Sequence, residues 1–212
     1  MIHAYDETYV EKAKTALGRM LDFAVYDLQY KLTDFWNLFL ASGTADRFGN
    51  GDFTLLAGKS GVEIAYLVLE KSGVSEKRVT PSYTLDRSEE YWTGWALAWY
   101  QWRKGVPFRE ITKRVSIDEI RQMYVPYHEM DLRQFADKMD EKCQKSSITK
   151  LKELRMQSGL SQKELSELSG VPVRTLQQYE QKQKDINKAK TEYVYRFSKI
   201  LGCRIEDLIE FF

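Results

Sequence analysis

Residues 151–180 read LKELRMQSGLSQKELSELSGVPVRTLQQYE. Ser161 and Glu164 stand three apart, the S-x-x-E spacing in which a hydroxyl and a carboxylate satisfy each other's backbone N–H groups at a helix start. The helix they open is expected to run about nine residues, with Leu165 and Leu168 facing inward. Gly170 falls where a tight turn needs a residue free to adopt positive φ. A second short helix follows, with Leu176 and Tyr179 inward. The rest of the chain is read outward from this pair.

Two short helices joined by a few residues that include Gly form the helix-turn-helix pattern. The segment resembles the Cro/C1-type (XRE-like) helix-turn-helix family. The resemblance rests on Arg155, Gly159-Leu160-Ser161-Gln162, Glu164-Leu165, Gly170-Val171, Thr175-Leu176 and Tyr179-Glu180. INKAKTEYVYRFSKILGCRIEDLI, from Ile186, is similar to the family's fourth and fifth helices. The likeness covers residues 146–210 and implies a five-helix DNA-binding domain. Two positions depart from the pattern. Lys182 stands in a turn that often carries Gly, where it is expected to bear backbone strain, and Ser166 stands where Ala is common.

A reader of this kind presents the exposed start of its second helix to base edges in the major groove. The base-contact candidates are Val173, Arg174, Gln177 and Gln178. Arg suits guanine O6/N7, Gln suits adenine N6/N7, and Val suits a thymine methyl. By similarity to the family, Gln162 holds a phosphate, a role that also fits the free N–H groups of a helix start. Lys163 and Thr175 are assigned to phosphate with it, as are Lys182, Lys184, Asn187 and Lys188 in the loop after the recognition helix. The basic groups set affinity and salt dependence; Arg174 and the glutamines set sequence. Arg155 and Glu180 are expected to pair inside the domain, as their counterparts do in the family. Double-stranded DNA is the implied partner, and a homodimer on a palindromic operator the implied assembly, because one module makes few base contacts.

The bulk numbers agree with a two-part chain. Its 212 residues suit one large domain or two small ones. Formal net charge is only +1, which removes a whole-chain electrostatic case for nucleic acid. The charge is unevenly shared: residues 146–212 hold 12 Lys+Arg against 9 Asp+Glu, and the remainder 20 against 22. Domains are therefore expected at 1–145 and 146–212, with the boundary in the polar stretch Gln144 to Ser147. Cys143 and Cys203 form no CxxC and have only His3 and His128 for company, so no zinc site and no cofactor is expected. Free thiols, no signal-peptide pattern in MIHAYDETYV and no apolar run of about 18 residues point to a cytoplasmic protein without membrane contact.

The whole chain reads as all-α, because apolar residues recur at spacings of three and four. In the first half, helices are expected over Glu7–Leu28 and Thr33–Ala41, from the Ser60/Glu63 capping box to about Lys71, and over Ser88–Lys104. A short helix follows from Phe108, then one from the Ser116/Glu119 box to about Tyr124, and a last over Asp131–Cys143. Gly43 to Gly51 reads as a loop and residues 72–87 as a connection. This half resembles an all-helical module found with such readers, one that brings no site residues with it.

YWTGWALAWYQW, residues 91–102, holds four of the chain's five tryptophans. Trp92, Trp95, Trp99 and Trp102 span about 80° of a helix, with Thr93, Gly94 and Gln101 off that seam. A cation cage gathers rings from several elements, so the stripe is either core or partner interface. Core is preferred, with Phe35, Trp36 and Phe39 as neighbours. LLAGKSG, residues 55–61, lacks the first Gly of a phosphate loop, and Ser60 serves better as a helix cap. PFREITKRVSIDEIRQMY, from Pro107, lacks a turn Gly and the family markers. His128, Glu129 and Asp131 read as the charged approach to a helix rather than acid–base machinery. No enzyme class emerges. The leading function is a sequence-specific transcriptional regulator, a repressor. The alternative is an antitoxin whose first domain neutralises a toxin partner while the reader autoregulates the operon. In either case residues 1–145 take a protein partner or a small ligand.

Overall fold

The computed structural model describes residues 3–75, 78–82, 86–146 and 148–210; side chains are not considered for 144–146. It divides into two compact units, Met1–Lys145 and Ser146–Phe212. The described residues contain fourteen α-helices, three short 3-10 turns and no strand. Ser147, in the stretch expected to mark the boundary, lies outside the described residues.

The first unit is built around α1 (Val10–Tyr26), which packs against α5 (Gly61–Lys71), α6 (Glu89–Lys104) and α2 (Leu32–Ala41). The α1–α6 contact is backbone-close. A Cβ on Gly94 would lie 2.5 Å from the Leu17 carbonyl oxygen, and one on Gly18 2.7 Å from that of Tyr91. Ser88 caps α6 by accepting from the Tyr91 N–H at 3.0 Å, and its hydroxyl donates to Asp22 of α1 at 2.6 Å. The Ser60/Glu63 box at α5 is present, which explains the AGKSG stretch without a ligand.

Helix α3 (Thr44–Gly49) occupies the segment expected as a loop, and α4 (Phe53–Leu56) follows just beyond it. Phe48, Leu55 and Leu56 are buried there, and Asp52 caps α4. Core burial, not propensity, makes these turns helical. The unit continues through α7 (Phe108–Arg114), α8 (Ile117–Gln122), α9 (Tyr124–Tyr127) and α10 (Leu132–Ser146). The stretch PFREITKRVSIDEIRQMY is thus α7 and α8, with Phe108, Ile111, Ile117 and Ile120 buried in this unit. Arg109 donates to the Leu40 carbonyl at 2.9 Å. His128 stacks on Tyr124 with ring centroids 4.1 Å apart, a packing role.

The aromatic stripe needs a correction. Trp92 and Trp102 are buried, but Trp95 and Trp99 are half-buried beneath Lys14 and Arg103, respectively. The residues placed off the seam, Thr93, Gly94 and Gln101, are buried. The small residues let α1 approach, so the tightest face of α6 is the glycine face. Trp92 pairs with Tyr124 and Phe135, and Trp102 stacks on His3. The expected neighbours Trp36 and Phe39 cluster instead with Phe108 and Phe48.

The second unit holds α11 (Lys150–Gln157), α12 (Gln162–Ser169), α13 (Val173–Glu180), α14 (Thr191–Leu201) and 3-10 turns at Ile186–Lys188 and Ile205–Leu208. Its core gathers Leu151, Leu165, Val171, Leu176, Phe197 and Leu208, all fully buried. Leu168, expected inward, is 63% exposed. Ser169 takes the inward position, because α12 closes on the core at Leu165 and four residues on rather than three.

Candidate DNA-reading surface

The α12–α13 turn is fastened at several points. Gly170 ends α12 at φ +66°, a left-handed conformation that favours glycine. The Ser166 hydroxyl donates to the Val171 carbonyl at 2.6 Å, and the Ser169 hydroxyl accepts from the Val171 N–H at 3.3 Å. Arg196 of α14 donates to the Ser169 carbonyl at 3.1 Å. Ser166, a departure in the sequence, is thus a turn fastener. Arg196 carried no sequence signal for this role, since its partner is a backbone carbonyl 27 residues away.

Beneath the turn, Arg155 and Glu180 form the expected pair. Nε donates to Oε1 at 2.6 Å and Nη2 to Oε2 at 3.0 Å, with the Glu180 side chain almost wholly buried. Arg155 Nη1 also donates to the Leu160 carbonyl at 2.6 Å. The Glu180 carboxylate holds the guanidinium even more firmly in its charged form. Two parallel bonds and a third to backbone satisfy the fork, which a buried charge requires.

The pair extends to the surface. Gln162 Nε2 donates to Glu180 Oε2 at 2.7 Å, and Gln177 Nε2 donates to Gln162 Oε1 at 3.3 Å. Gln162 and Gln177 are half-buried. A proposed phosphate holder and a proposed base reader are therefore joined, and both hang from the interior ion pair.

Helix α13 differs from α5, α8 and α12 at its start. Those begin with capping boxes whose glutamates sit in the first turn; α13 begins after Pro172 with no side-chain cap and no first-turn acid. Its positive dipole end is left without a local carboxylate, which favours an external anion. Val173 is 40% exposed and Arg174 is exposed, whereas Thr175 and Gln178 are half-buried. Inward, Leu176, Tyr179 and Glu180 anchor the helix.

The following loop carries the basic set. Lys182 adopts φ +57°, the left-handed strain expected of it. The Gln183 and Lys184 N–H groups both donate to the Gln178 carbonyl, at 2.9 and 3.0 Å. Lys182, Lys184 and Lys188 are exposed; Lys188 lies 3.8 Å from Asp185, and Lys163 of α12 lies 3.9 Å from Glu167. Such exposed pairs are weak and yield readily to a phosphate. Asn187 differs. Its side-chain amide is engaged with the main chain of Glu210 at both ends, a partner the sequence did not suggest.

The described residues include no group of three or more His, Cys, Asp or Glu able to hold a metal ion. None of their helices is long and apolar enough to cross a membrane.

Residues 151–208 match the family model described as helix-turn-helix. This segment is a Cro/C1-type, XRE-like domain, and the class it defines is the DNA-binding regulator. The chain matches none of the curated proteins and none of the solved structures.

Proposed function

We propose that the chain is a transcriptional repressor that reads a palindromic operator as a homodimer. The observation that carries this reading is the joining of two features on one short segment. One is an uncapped, acid-free helix start presenting Val173 and Arg174; the other is an exposed basic loop from Lys182 to Lys188. Arg174 reads guanine, Val173 a thymine methyl, and Gln177 and Gln178 adenine. Gln162, Lys163, Thr175, Lys182, Lys184 and Lys188 hold phosphates and set the salt dependence.

Selection of bound fragments from the DNA upstream of the chain's own coding region, at fixed salt, tests this. The expected product is a site with two half-sites about one helical turn apart. Retention of no fragment ends the reading.

A second reading assigns residues 1–145 to a protein partner, with the chain acting as an antitoxin that autoregulates its operon. What supports it is the exposure of two apolar side chains, Val125 (68%) and Met130 (41%), within one short segment around α9. Stable co-purification with the product of a neighbouring gene supports it; a chain that purifies alone from cells expressing both removes it.

A further inference from the structure

We propose that Asn187 and Glu210 form a clasp that positions the basic loop for phosphate contact, and that Asn187 is a positioning residue rather than a phosphate ligand. The inference rests on the DNA-reading function above.

The clasp has three bonds. Asn187 Nδ2 donates to the Glu210 carbonyl at 2.5 Å, and the Glu210 N–H donates to Asn187 Oδ1 at 2.9 Å. The Glu210 carboxylate accepts from the Lys150 N–H, the first of α11, at 2.6 Å. One residue therefore pins the loop after the recognition helix to the first turn of α11. The Asn187 backbone N–H is also used, donating to Asp185 Oδ1 at 2.9 Å. Both ends of the Asn187 amide are engaged with one main chain, so a phosphate would have to displace the clasp to reach it.

The loop needs such support. Lys182 holds a strained φ, and short-range bonds to Gln178 and Tyr179 fix only the near end. At the far end Ile186 is buried, yet Lys184 and Lys188 project from exposed backbone. Flexible cations spread over many positions neutralise phosphates less well than cations held in register.

The sign of the Glu210 effect separates this account from plain electrostatics. Removing a carboxylate from a DNA-binding domain ordinarily tightens binding by reducing repulsion. Loss of the clasp weakens it. The full-length chain and its Glu210→Ala, Glu210→Gln and Asn187→Ala variants are titrated with the selected duplex at several salt concentrations. Amide exchange is measured on the same proteins without DNA.

Glu210→Ala and Asn187→Ala each weaken binding roughly two- to tenfold and flatten the salt slope by about one unit. Exchange rises at Lys188 and Ala189, whose N–H groups donate to the Asp185 and Ile186 carbonyls at the far end of the loop, and stays unchanged at Leu176 and Tyr179. Glu210→Gln restores binding, because its amide oxygen still accepts from the Lys150 N–H. Equal or tighter binding by Glu210→Ala overturns the clasp. So does an Asn187→Ala defect with unchanged slope and unchanged loop exchange, the pattern of a direct contact. If the unaltered chain retains no duplex, the DNA reading fails instead. Exchange alone then decides the clasp, and unchanged protection at Lys188 and Ala189 in Glu210→Ala removes it.

Discussion

Helix α6 spans 16 residues and buries 11 of them; α13 spans 8 and buries 3. The first carries four of the five tryptophans, and the second carries Arg174 and two glutamines beside a single buried leucine. Aromatic density marks the place where a helix is enclosed on most sides, and so marks scaffold. The helix proposed to read DNA keeps only enough apolar surface to be held, and leaves the rest of its surface to exposed polar groups. The same contrast holds at the helix starts. Ser88 ties the start of α6 to α1 through Asp22, whereas the start of α13 has no side-chain cap.

The sharpest way to break the comparison is at the anchor of α13. Arg155→Ala leaves the Glu180 charge buried without its partner, which should cost about 3–5 kcal/mol. Chemical denaturation of the full chain should show the second unit unfolding early while the first is unaffected. A loss under about 1 kcal/mol would mean the pair is not what holds α13. On the scaffold side, Gly94→Ala places a Cβ 2.5 Å from the Leu17 carbonyl oxygen. Overpacking of this kind costs about 1–3 kcal/mol. The same denaturation curve should now show the first unit failing, with specific DNA binding by the second intact at low denaturant.

The two halves also differ in how much of them could be read in the chain. All three capping boxes, at Ser60, Ser116 and Ser161, are formed, because the S-x-x-E signal is local and complete within four residues. The Arg155–Glu180 pair and the strained Lys182 were legible through the family resemblance. Leu168 was misplaced because spacings of three and four both satisfy a helical stripe; only the packing of α12 on α14 selects Ser169 instead. Helix α3 falls where Gly43, Gly49 and Gly51 signal a loop, and burial of Phe48 overrides that signal. On α6 the large residues drew the reading, yet Gly94 sets the close approach to Gly18 of α1, a pairing 76 residues apart in the chain. Asn187 suited a phosphate by position; its partner Glu210 is 23 residues away and bonds through its main chain, which leaves no side-chain pattern to find.

Smaller changes sharpen the comparison. Lys182→Gly relieves a left-handed residue that costs roughly 1–2 kcal/mol, partly offset by the freedom glycine adds to the unfolded chain. The expected result is a stability gain of up to about 1 kcal/mol in thermal melts together with weaker DNA binding. A gain in both would remove Lys182 from the phosphate set. The least effect is expected in acid. The Ser161 hydroxyl and N–H hold the Glu164 carboxyl below the usual glutamate range. Its contribution is therefore present above the unfolded value near 4.3 and is lost as pH falls through the lower folded value. The stability difference between the unaltered chain and Ser161→Ala should be smaller in strong acid than at neutral pH, the remainder being the bond the Ser161 hydroxyl accepts from the Glu164 N–H; a pH-independent difference would contradict a part for the carboxylate.

The central claim is that sequence is read by the exposed start of α13. Its most direct test is the base preference of the full chain against that of Arg174→Ala, measured by selection from the same duplex library at the same salt. The account predicts a loss of about 1–3 kcal/mol on the preferred site and a relaxed preference at one base pair in each half-site. An unchanged preference profile in Arg174→Ala would contradict it.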